Sequence, residues 1–185
     1  MILNDAKAAV ETVLNFLNDP TKRTLLVKGY DNDAKVKVVL SCLNKVFGKG
    51  IIRTSSMSDI ADHINRSFKN QQLPRNIKST TNYALGKMTI NINSYATHTA
   101  NNPGGNENTF TLFHPVQMAL DDPKRYKALL HDLNKSGSSK IILITTNEWG
   151  IKNWDIENHV DEVYFYSVEN DNPQIMTNLR NNGAI

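Results

Sequence analysis

The sequence predicts an α/β fold: three layers, a mostly parallel five-stranded sheet with helices on both faces, and an inserted hairpin or loop. Short apolar runs alternate with amphipathic stretches along most of the chain, the pattern of strands crossing over through helices. Short runs such as Leu25-Leu26-Val27 and Ile141-Ile142-Leu143-Ile144 are continuously apolar, as in strands buried on both faces. One segment, 88–93, alternates Met88, Ile90 and Ile92 with polar residues, which marks a half-exposed strand.

Taken in order, 6–18 reads as a helix with Val10, Val13, Leu14 and Leu17 on one face, ended by Asp19-Pro20. The run 24–28 is the first buried strand. Val36, Val39, Leu40, Leu43 and Phe47 then mark a second helix, broken by Gly48 and Gly50 before a second strand at 51–54. Ser56 to Asp59 has capping-box spacing ahead of a third helix bearing Ile60, Ala61, Ile64 and Phe68. Residues 69–79 read as loop. Tyr83 to Leu85 is the hairpin partner of 88–93 across Gly86-Lys87, and 97–108 reads as a flexible loop. The third sheet strand is 109–113. Asp122-Pro123 opens a helix with Tyr126, Leu129, Leu130 and Leu133 inward. Strands at 140–146 and 163–168 and a closing helix from Asn172-Pro173 complete a single domain over 1–185, with an insertion at about 69–108.

At 185 residues and a net charge of +3, the chain can bury a core, and its scattered bases do not by themselves demand nucleic acid. Cys42, the one cysteine, excludes an internal disulfide and falls on an apolar helical face. No signal peptide or membrane-length apolar run is visible, so the expected setting is cytoplasmic and away from membranes. The five histidines lack helical zinc spacing and no cysteine cluster exists, so no metal site is expected. Glu148 and Asp155 flank Trp149 and Trp154 without a spacing that selects them as ligands; the tryptophans suit a partner surface or a core cover.

The segment Gly29-Tyr30-Asp31-Asn32-Asp33-Ala34-Lys35-Val36 follows a buried strand and opens a helix. It has the place and spacing of a Walker A loop, G-x-x-x-x-G-K-[ST], with Gly29 and Lys35 matching. Residues 141–147 follow a helix and end in Asn147, like a sensor-1 strand. On these motifs the chain resembles the core of the AAA+ P-loop ATPases over roughly 6–181. The resemblance implies strand order 5-1-4-3-2, a nucleotide over the tips of strands one and three, and a phosphate cradle made by Gly29, Asp33, Ala34, Lys35 and Val36. It implies that Asn147 would help position an attacking water. The expectation is a core without the family's helical lid domain.

The chemistry departs from the family. Val36 offers no hydroxyl to Mg²⁺, and Asp31 and Asp33 put negative charge where an anion should sit. The Walker B strand ends in Phe113-His114-Pro115, without an acid, and 156–160 has no arginine. His114 and Asn147 are the candidate catalytic residues, with His114 otherwise a surface imidazole and Lys35 otherwise a solvated first-turn lysine. The expectation is a non-catalytic AAA+-like module acting on a protein partner, as a homo-oligomer or on nucleic acid, within a nucleic-acid-processing or mobile-element assembly. The alternatives are an ATPase with atypical Walker motifs, with ATP the cofactor, and a nucleic-acid-binding protein using Lys69, Arg75, Lys78 and Lys87.

Overall fold

The computed structural model describes residues 4–97, 101–146 and 155–185. Its elements run α1 (Asp5–Asn18), β1 (Thr24–Lys28), α2 (Asn32–Val46), β2 (Lys49–Thr54), α3 (Ile60–Phe68), β3 (Asn82–Leu85), β4 (Met88–Ser94), β5 (Phe110–Phe113), α4 (Gln117–Leu120), α5 (Pro123–Lys135), β6 (Lys140–Ile144), β7 (Glu162–Phe165) and α6 (Pro173–Asn181), with a 3₁₀ turn at Ile156–His159 before β7.

The strands form one sheet in the order β3-β4-β2-β5-β6-β1-β7. All neighbours are parallel except β3 and β4, which pair as a hairpin. The sheet therefore has seven strands, not the five expected. The two additional strands come from the insertion: β4 joins the main sheet beside β2 over six residue pairs, from Lys49 opposite Thr89 to Thr54 opposite Ser94. Alternation within 88–93 located a strand, but its docking partner lies some 40 residues earlier and leaves no local trace. Gly86, at φ 60°, makes the hairpin turn, a conformation that disfavours a side chain.

Alternate residues of each central strand face opposite layers. Leu25, Val27, Ile142 and Ile144 pack with α1, α2, α3 and α6, whereas Leu26, Ile141 and Leu143 pack with α4 and α5. This is why the runs read as continuously apolar: both faces are covered. The helices present the expected faces, with Val13 and Leu17 of α1, Val39 and Leu43 of α2 and Leu129 and Leu133 of α5 all buried. Asp122 caps α5 by accepting the Arg125 N–H. At α3 the capping-box expectation fails. The helix begins at Ile60, one residue after Asp59, and the Ser56 hydroxyl donates to the Asp59 carboxylate instead of accepting from a helix N–H group.

Two lysines are interred. Lys140 passes under the last turn of α1 and donates to the carbonyls of Phe16, Asp19 and Lys22. A cation there satisfies carbonyls left over at a helix end and complements its dipole. The second is Lys35, at the opposite edge of the sheet.

Candidate functional site

In open α/β sheets, ligands bind beyond the carboxyl ends of the strands. Here that edge gathers Gly29 after β1, His114 after β5 and Thr145 after β6, faced by the first turn of α2 and by α3.

The β1–α2 connection is short. Only Gly29, Tyr30 and Asp31 separate the strand from the helix, which already includes Asn32 to Val36. Ala34, Lys35 and Val36 are thus helical residues, and the eight-residue phosphate cradle expected of 29–36 is not formed. The cause is local. Asp31 is an N-cap whose Oδ1 accepts the Ala34 N–H at 2.9 Å, so a carboxylate of the chain occupies the N–H that an anion would use. Gly29 is required by shape: its φ is +136°, and a Cβ there would strike the Tyr166 carbonyl oxygen.

Lys35 is fully buried, which corrects the expectation of a solvated lysine. Its Nζ donates to the Gly29 carbonyl and, at 2.6 Å, to the Thr145 carbonyl. One ammonium therefore clips the end of β1 to the end of β6. A buried charge survives only when hydrogen-bonded in this way. Val36 is buried in the core. Asp33 is turned away from the loop and takes the Arg66 guanidinium on both oxygens at 3.0 Å. That pair is largely exposed, so it contributes about 0–1 kcal/mol.

His114 is 2% exposed, not a surface imidazole. Being next after Phe113, it faces the α2–α3 layer, where its ring lies 5.7 Å from that of His63, edge to face. Burial, followed by the charges of His63 and Lys35, holds its pKa down to about 3; a hydrogen bond to the Ile144 backbone acts the other way. His63 is also lowered, by burial first and then by Arg66. The Nδ1 atoms of both rings are buried without a hydrogen-bond partner.

No protein-family model matches this sequence, and no curated protein matches it.

Asn147, the sensor-like residue, lies outside the described residues, as do Glu148, Trp149 and Trp154. The four proposed nucleic-acid bases sit elsewhere. Lys69 closes α3 in a left-handed conformation, φ 55°, and Arg75 and Lys78 are exposed in the following connection. Lys87 stands in the β3–β4 turn, its N–H bonded to Asn44 Oδ1 near the end of α2. Lys87 is therefore at the amino-terminal edge of the parallel sheet, away from Lys35 and His114.

Residues that sequence reasoning passed over include Arg53 and Asp132. They pair at 3.1 Å with side chains 12% and 9% exposed, and Arg53 also lies over the Phe113 ring. Burial pulls the Arg53 pKa down while Asp132 opposes it. A signal existed: an arginine inside the apolar run 51–54 and an aspartate beside Leu133 on an inward helical face. Beside them, Tyr95, Lys124, Lys127 and His131 border a cleft of about 460 Å³. Among the described residues, no three His, Cys, Asp or Glu side chains converge as a metal cluster, and no helix is long and apolar enough to cross a membrane.

Proposed function

We propose that the chain is a non-catalytic AAA+-like module that acts through interaction, with a nucleotide site closed by its own side chains. The observation that carries this reading is Lys35: its ammonium is sealed against the Gly29 and Thr145 carbonyls, while Asp31 holds the helix N–H that would face phosphate. A phosphate loop works only when such groups are free to converge on the anion. His114 stands at the end of β5, where an acid would hold Mg²⁺, and an imidazole of depressed pKa is a poor partner for that hard ion.

The AAA+ element of the reading rests on connectivity. Within the seven strands, β7-β1-β6-β5-β2 run consecutively, and this is the order 5-1-4-3-2 once the inserted hairpin is set aside. The partner is a protein, a second copy of the chain or a nucleic acid, in an assembly that processes nucleic acid.

Calorimetric titration with ATP and Mg²⁺, alongside a phosphate-release assay, tests this. The expected result is no saturable heat and no hydrolysis. Saturable binding or turnover abolished by Lys35→Ala would establish instead an ATPase with atypical Walker motifs. For the nucleic-acid partner, Lys69, Arg75 and Lys78 present exposed charge. Binding to DNA or RNA that weakens with salt and falls on their replacement supports that partner, and flat titrations at low salt remove it.

A further inference from the structure

We propose that the imidazoles of His63 and His114 form a two-nitrogen site for a borderline first-row transition ion, Zn²⁺ or Cu²⁺, at the carboxyl edge of the sheet. Buried polar atoms in folded proteins almost always have a partner, and an orphan calls for an unseen water or ion. Here two orphans occur together: Nδ1 of His63 on α3 and Nδ1 of His114 at the tip of β5. A neutral imidazole carries a bare lone pair on one ring nitrogen, so each Nδ1 can serve as a ligand in that tautomer.

The spacing suits one shared ion. With metal–nitrogen distances of about 2.0–2.1 Å, two imidazoles on one tetrahedral or more open centre have ring centroids about 5–6 Å apart, and these lie 5.7 Å apart. Both rings are held neutral at pH 7 by burial, so neither must lose a proton first. The charge is divided between the two rings: Asp33, Asp59 and Asp62 act on His63 together with Arg66, whereas Lys35 and Arg66 act on His114. Arg66 is itself held by Asp33. Imidazole nitrogen favours zinc and copper over magnesium or calcium. With two protein ligands, the remaining positions fall to water or to an incoming donor. Sequence spacing could not reveal the site, because its ligands come from elements 51 positions apart (63 and 114). The site does not depend on the AAA+ reading.

The test titrates chelator-treated protein with Zn²⁺ by calorimetry, and with Cu²⁺ followed by electron paramagnetic resonance. The expected result is one ion per chain, a copper signal with two-nitrogen coupling, and affinity at least tenfold weaker in His63→Gln and in His114→Gln. His63→Gln is on half-buried α3 surface, so it reports even if the His114 variant folds poorly; retained circular dichroism qualifies each variant. No binding at 100-fold excess of ion over protein, or binding undiminished in both variants, overturns the proposal and assigns any residual affinity to the remaining histidines.

Discussion

Acid should weaken this fold through His114 in a way that one substitution removes. Its imidazole titrates near 6.5 when unfolded but is held to about 3 in the folded chain, chiefly by burial, with His63, Lys35 and Arg66 adding positive charge around it. The unfolded chain therefore binds a proton that the native chain refuses. Stability is complete above the unfolded pKa and falls as pH drops through 6.5 towards 3. Linkage over that window gives a loss of about 2 kcal/mol between pH 7 and pH 5 from this ring alone. With a urea slope of about 2 kcal/mol/M, the midpoint should fall by about 1 M over the same two pH units. Urea unfolding followed by fluorescence, with chelator present, measures this in wild type and His114→Gln. The variant's midpoint should fall far less between pH 7 and pH 5. Equal falls in the two proteins would refute the burial of a neutral His114.

Other consequences are as direct. Gly29→Ala should lower stability by about 2 kcal/mol or more, because a side chain at φ +136° is strained and meets the Tyr166 backbone; thermal or urea unfolding reads it, and an unchanged midpoint contradicts that contact. Asp132→Asn should destabilise by about 3 kcal/mol by leaving Arg53 charged and buried, while Arg53→Met with Asp132→Leu should recover most of the loss in the same denaturation assay. Cys42, buried and pushed up to about 11, should react with a thiol-specific disulfide reagent at pH 8 only after unfolding. Rapid reaction in native protein would place that thiol on the surface.

The fold was legible where a residue's fate depends on its immediate neighbours. Period-3.6 spacing placed Val39 and Leu43 inward, alternation placed Ile90 and Ile92 inward, and Asp122-Pro123 set a helix start. What escaped was set by contacts distant in sequence. Nothing near 88–94 says that it docks on β2, so the sequence shows an inserted hairpin but not that it extends the main sheet. Lys35 looked like a surface residue or a phosphate ligand because its actual acceptors, Gly29 and Thr145, meet only when β1 and β6 lie side by side. The same holds for His63 and His114. By its charge alone Asp31 is hostile to an anion. It is hostile in a more specific way, since it already occupies the helix terminus as a cap. The one charged residue in the apolar run 51–54, Arg53, was the available hint of a buried ion pair, and Asp132 on an inward face was its counterpart.

Whether Lys35 is sealed inside the protein is tested most directly by amine acylation read by mass spectrometry. With Lys69, Lys78 and Lys87 as exposed internal references, native protein is treated with a lysine-reactive ester with and without Mg-ATP. Lys35 should stay unmodified in both samples while the references react, and should become reactive only in denaturant. A Lys35 that reacts as readily as Lys78 in native protein, and is then shielded by ATP, would mean an open phosphate site and would contradict the account.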